Sequence, residues 1–128
     1  MLPFAEPLLS GRSALADPQP HSLRIADDFS ETPFGRYKDD GPESGELFRD
    51  NYLIPALNTH SRVRLILDGV EGLPSSFWEE VMGGLIRHGW SVADVRDKLE
   101  LVTEEPDLKT YVRLGWRYAE EAASKLKH

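Results

Sequence analysis

Two adjacent hydroxyls, Ser75 and Ser76, open a predicted helix one short turn after Asp68, which ends a predicted strand. Ligands collect beyond the carboxyl ends of strands in open α/β sheets. A helix N-terminus there offers free N–H groups and the positive pole of the helix dipole to an anion. Ser76 and Glu79 have the spacing of a capping box, in which a serine caps the helix and the glutamate bonds back to it. Capping occupies Ser76 and leaves Ser75 free for other chemistry. A second candidate is the loop 35–45, where Arg36 and Lys38 stand near Gly41, Ser44 and Gly45. Glycines and cations ahead of a helix can form an anion-binding nest. The loop lacks both the Gly-Lys-Ser/Thr ending of a phosphate-binding loop and the Rossmann glycine spacing. Asp39, Asp40 and Glu43 do not follow a calcium-loop pattern, so a solvated structural loop is the competing reading.

The third candidate is Gly83-Gly84, inside a predicted helix. Each mid-helix glycine costs ~1 kcal/mol relative to alanine, so a pair needs a reason. Placed opposite the apolar stripe, between Glu79-Glu80 and Arg87-His88, the pair makes a dent that another backbone can enter. That backbone belongs either to a partner protein or to another element of this chain. On the partner reading, Asp68, Glu79, Glu80, Gly83, Gly84 and Arg87 are the docking residues.

Much chemistry is excluded. The 128 residues contain no cysteine, which removes disulfides, thiolate metal sites and cysteine nucleophiles. His21, His60, His88 and His128 follow no metal-ligand spacing, and no cofactor is expected. His88 lies about 18 Å along the helix from Ser76, at ~1.5 Å per residue, too far to act as its base. Fifteen Lys and Arg against 22 Asp and Glu give a charge of −7, which argues against general binding to nucleic acid or an anionic membrane. The apolar run Leu65–Leu67 stops at Asp68, and nothing approaches the ~18 consecutive apolar residues of a membrane span. Glu6, Ser10, Gly11 and Arg12 interrupt any secretory signal before Ala14-Leu15-Ala16, and a cytoplasmic location is expected.

Alternating strands and helices must position these candidates. Residues 1–20 hold four prolines without helix or strand periodicity, which predicts an extended or disordered tail ahead of a domain over 21–128. Ser22–Ala26 alternates as a half-buried strand, and the pattern admits a short strand over 34–37. Apolar residues from Glu46 to Leu57 recur at helical spacing behind a Ser44 cap, with Pro55 expected to kink or end the helix. Arg62–Asp68 reads as a central strand covered on both faces. A helix from Ser76 to Gly89, a short one from Ser91, a strand over 99–103 and a helix from Pro106 to about Lys125 complete the chain. The fold class is α/β, an open mixed sheet with helices packed against it.

The run from Leu67 to Phe77, which ends a strand and opens a helix, is similar to the signature of STAS domains, the anti-sigma-factor antagonists. In those proteins an Asp-Ser-Ser-Gly segment starts the helix and a partner kinase phosphorylates a serine in it. Here Pro74 and Phe77 stand in place of that Asp and Gly. More closely, the chain resembles a bacterial STAS-like family of unknown function. The resemblance lies in Gly35-Arg36-Tyr37, Asp40-Gly41-Pro42, Ser44-Gly45-Glu46 with Phe48-Arg49, Ser75-Ser76-Phe77 with Glu79-Glu80, and Gly83-Gly84-Leu85. It implies a single STAS-like domain, acting without catalysis through protein–protein contact. It further implies phosphoacceptor candidates Ser75 and Ser76, and a partner of the histidine-kinase-like ATPase class. The alternatives are a small anion- or nucleotide-binding sensor or enzyme using loop 35–45 and the 68–76 turn, and a structural dimerisation module.

Overall fold

The computed structural model describes residues 19–127. All but the last two residues of the expected tail lie outside that range. Strand β1 (His21–Arg24) pairs with β2 (Val63–Ile66), and β2 pairs with β3 (Leu99–Val102), giving the order β1-β2-β3. The sheet is open, as expected, but both pairings are parallel where a mixed sheet was expected. Register places Leu23 beside Leu65 and Leu65 beside Leu101. With the side chains of a strand alternating between faces, these leucines join Val63 and Leu99 on one buried face.

The other face carries Arg24, Arg64, Ile66, Glu100 and Val102, none of them buried. Among the described residues the central strand is therefore covered on one face, not two. Topology gives the reason. Strands laid down in the order 1-2-3, joined by crossovers of one hand, put every crossover helix on the same side. Only a reversal of strand order would place helices on the far face. There Arg64 and its cross-strand neighbour Glu100 form an exposed ion pair, 3.2 Å from Nε to Oε1.

Strand β1 ends at Arg24 because the Asp28 carboxylate accepts the Arg24 N–H (2.8 Å) and a π-helical turn, Ile25–Phe29, follows. The strand admitted over 34–37 is absent. Instead the loop closes on itself, Phe34 N–H donating to the Glu43 carbonyl and Gly45 N–H to the Gly35 carbonyl. Helix α1 has three successive parts: α-helical Gly45–Phe48, π-helical Arg49–Leu53 and α-helical Ile54–Thr59. Pro55 does not end it. The wide turn closed by Ile54 N–H on the Arg49 carbonyl precedes the ring and gives it room, and proline needs no acceptor of its own.

Helices α2 (Ser75–Arg87), α3 (Val92–Lys98) and α4 (Lys109–Leu126) follow, α4 entered through a 3₁₀ turn at Pro106–Leu108. Ser91 caps α3 as expected, accepting the Asp94 N–H. The core joins Phe48, Phe77 and Trp78 to the leucine rows of the sheet. Trp78 donates its indole N–H to the Tyr111 carbonyl (2.7 Å), which ties α2 to α4. Gly115 lets the helices approach there, since a Cβ would stand 2.9 Å from the Trp78 ring. Among the described residues no helix is long and apolar enough to cross a membrane.

Candidate functional site

Helix α2 begins at Ser75, two residues earlier than the capping-box pattern requires. Its N-cap is Pro74, which has no side chain to cap with, so the Ser76–Glu79 box does not form. Proline favours the extended entry (φ −53°, ψ 144°), and its carbonyl accepts the Trp78 N–H. Glu79 is drawn elsewhere, toward arginines. Ser75 is thus the exposed first residue of a helix that no side chain caps, and Ser76 is half-buried.

Asp68 takes no part at Ser75. Both of its carboxylate oxygens accept the Glu104 N–H, at 3.3 and 3.2 Å, which locks the end of β2 to the turn after β3. Partial desolvation pushes the Asp68 carboxyl up, but the Thr103 hydroxyl, backbone N–H groups and Arg24 outweigh it and hold the group below its ordinary value.

The residues around Gly83-Gly84 do come together, though not as an open docking face. Both glycines are buried. A Cβ at Gly84 would run into the Arg49 guanidinium, and Arg49, on α1, is 1% exposed. The dent is filled from within the chain. Arg49 Nη1 donates to Glu80 Oε2 at 2.5 Å and to the Glu80 carbonyl at 3.0 Å. Glu80, itself 5% exposed, also accepts from Arg36 (3.2 Å) and Arg87 (3.3 Å). Glu79 accepts from Arg36 (2.5 Å) and Arg87 (2.8 Å), and the Glu79–Arg87 pair lies across Gly83, which has no side chain to obstruct it. Burial pushes the Glu79 carboxyl up, and the bonds from Arg87 and Arg36 more than offset this, holding it below the usual range. The hydrogen bond to Glu79 raises both Arg36 and Arg87, so both stay cationic.

Loop 35–45 is satisfied in the same way. Asp40 accepts the Arg36 and Tyr37 N–H groups (3.1 and 2.8 Å), and Glu46 accepts that of Lys38 (2.8 Å). The N–H groups an external anion would use go to the chain's own carboxylates. Lys38 pairs with Asp50 at 3.5 Å. Ser44 is fully buried and caps α1, accepting the Leu47 N–H as expected. Gly45 sits so close to α2 that a Cβ would overlap the Phe77 carbonyl oxygen. Of the anion-binding candidates, Gly41 alone has open space where a side chain would be; at φ 140° it turns the loop. Among the described residues no cluster of three or more suitable side chains is placed to hold a metal ion.

Sequence reasoning missed Arg49. Its signal was available: a cation on the apolar stripe of α1, between Phe48 and Leu53. It also missed the surface beside Ser75. There a shallow groove of about 660 Å³ is lined by Pro33, Phe34, Leu73, Pro74 and Tyr111, with Glu43 and Glu71 at its margin. Parallel strands direct all three following loops to this end of the sheet. They carry Asp27, Asp28 and Glu31 after β1, Asp68 and Glu71 after β2, and Glu104, Glu105 and Asp107 after β3. From Ile25 to Pro33, Leu67 to Ser76 and Thr103 to Leu108 there is no Lys or Arg; Lys109, opening α4, comes next.

A family model described as "STAS-like domain of unknown function (DUF4325)" matches residues 44–109. Neither the curated proteins nor the solved structures return a match. The matched span starts at the Ser44 cap and ends at the first residue of α4. It includes the Gly45, Arg49, Glu80 and Gly84 interlock and leaves Arg36 and most of its loop outside. With more than half of its residues inside that match, this chain belongs to the family of STAS-like domains of unknown function.

Proposed function

We propose that the chain is a non-enzymatic regulatory protein-interaction domain of the cytoplasm, switched by phosphorylation of Ser75, with Ser76 the second acceptor. A STAS-like domain suggests a regulatory role through protein contact. The observation that carries the switch is Ser75 itself, an exposed hydroxyl on the first residue of α2, at an end that no side chain caps. A phosphate there would bring ~1.5–2 negative charges to free N–H groups and the positive helix pole, a placement that stabilises it. Resemblance to the anti-sigma-factor antagonists points to a histidine-kinase-like ATPase as the partner class. Pro74 and Phe77 flank the acceptor where those proteins differ, so the kinase would read another local sequence.

The test is phosphosite mapping of the protein purified from its native host with its bound partners, followed by the double variant Ser75→Ala/Ser76→Ala. Phosphate on either serine, with partner binding deregulated in the double variant, supports the reading. An unmodified protein whose partner ignores the double variant refutes it.

A further inference from the structure

Phe34 is 67% exposed, yet Pro33 before it and Gly35 after it are buried. Its backbone N–H is fixed on the Glu43 carbonyl at 3.0 Å, and the Glu43 carboxylate is held in turn by the Ser30 hydroxyl at 2.9 Å. The loop is anchored on both sides of a ring that it holds in water. An aromatic ring on a fixed backbone has little conformational freedom left to lose on binding, which is what an interface anchor requires. The apolar surface continues from Phe34 over Leu73, Pro74 and Tyr111. Glu43 and Glu71 line it, Glu31 lies alongside through the Glu71 N–H bonded to its carbonyl, and no Lys or Arg is among the lining residues.

We infer that this groove receives a basic peptide segment of a partner protein. An apolar or aromatic side chain of that segment seats against Phe34, Pro74 and Tyr111, and flanking Lys or Arg side chains meet Glu71 and its neighbouring carboxylates. The inference rests on the protein-interaction reading and names the chemistry of the partner; it does not require Ser75 to be phosphorylated. Charge complementarity selects the occupant, because an acidic segment or a nucleic acid backbone meets like charge here. Pro74 forms the groove wall and Ser75 is the next residue, so a phosphate on Ser75 adds charge of the sign that holds Lys and Arg. The modified protein should bind such a segment more tightly.

The probe is a displayed library of random peptides about 12 residues long, selected on the immobilised full chain at low salt. Enriched peptides are then titrated by fluorescence anisotropy against the wild type, Phe34→Ser, Glu71→Lys and, as a control of equal charge change on the open sheet face, Glu100→Lys. The expected winners combine an apolar anchor with Lys or Arg. They should lose at least ~10-fold in affinity with Phe34→Ser and with Glu71→Lys, weaken in about 0.3 M NaCl, and keep their affinity for Glu100→Lys. Failure to enrich any sequence, enrichment of acidic or uncharged peptides, or unchanged binding to either groove variant overturns the inference. All three positions are exposed, and matching thermal melts confirm that the variants fold. If peptides bind as expected but Ser75→Ala/Ser76→Ala leaves native regulation intact, the switch fails and the groove stands. If regulation depends on those serines but the groove variants bind normally, the reverse holds.

Discussion

Replacing Glu80 with leucine should be the most destabilising single change in the charge cluster, and more costly than replacing Arg49 with methionine. The asymmetry follows from the partners each group would leave behind. Arg49 is 1% exposed and meets two carboxylates, Glu80 at 2.5 Å and the more accessible Asp50 at 3.0 Å. Without Glu80 its Nη1 keeps only a neutral carbonyl. Removing one partner of a buried pair typically costs ~3–5 kcal/mol, and here buried Arg49 is left with the more accessible Asp50 as its one counter-charge. Glu80, by contrast, keeps Arg36 and Arg87 when Arg49 is gone, so Arg49→Met should cost about 1–3 kcal/mol. The double variant places two apolar side chains of similar volume against Gly84 and should lie within about 1 kcal/mol of the wild type, or above it. Urea denaturation of the four proteins closes the cycle, with a coupling of at least ~2 kcal/mol expected. At about 4 °C per kcal/mol for a domain of this size, the melting temperature of Glu80→Leu should fall by roughly 12–20 °C. Should Glu80→Leu stay within about 1 kcal/mol of the wild type, or the double variant prove no more stable than Glu80→Leu, the buried pair is not what joins α1 to α2.

The neighbouring glycines should respond in opposite ways to alanine. Gly84→Ala drives a methyl into an Arg49 side chain that has nowhere to go, and should destabilise by about 1–3 kcal/mol in urea titrations despite the gain in helix propensity. At Gly83 the obstacles are the flexible ends of Glu79 and Arg87, so Gly83→Ala should be neutral or stabilising by up to ~1 kcal/mol by the same measurement. Gly45→Ala meets the backbone carbonyl of Phe77 and should cost at least about 2 kcal/mol, visible as a lower urea midpoint. Acid should also act through Glu79 and Asp68, whose folded pKa values lie below their unfolded ones. Their contribution is complete above the ordinary carboxylate range and is lost as pH falls below about 4, so urea midpoints should drop from pH 5 to pH 3, less steeply in Glu79→Gln.

Local pattern carried the fold a long way. Among the described residues periodicity placed all three strands and all four helices, and the serines ahead of α1 and α3 announced their caps because a cap needs only a neighbour three residues away. The errors occur where a distant partner decides. Ser76 with Glu79 satisfies a local rule, but Glu79 bonds Arg36, 43 residues earlier in the chain. Gly83-Gly84 correctly marked a close approach, and only the folded chain shows that Arg49 makes it. Pro55 is expected to kink or end the helix, and the π turn that lets the helix run on through it leaves no mark in residue types. The one-faced sheet was hidden for the same reason: the strand order, absent from any local window, decides which face receives the helices.

That strand order also sets how the molecule must fold. His21 pairs with Val63, and Val63 with Leu99, so every rung of the sheet joins residues some forty positions apart. Among the described residues no hairpin exists to nucleate the strands cheaply, and the closure of two long loops precedes any reward from pairing. During synthesis β1 emerges long before β2, and its Leu23 has no sheet partner in the interim. The helical pair α2–α4 faces a further delay, since α4 is made only after β3. Refolding should therefore be slow for so short a chain, in the range of milliseconds to seconds.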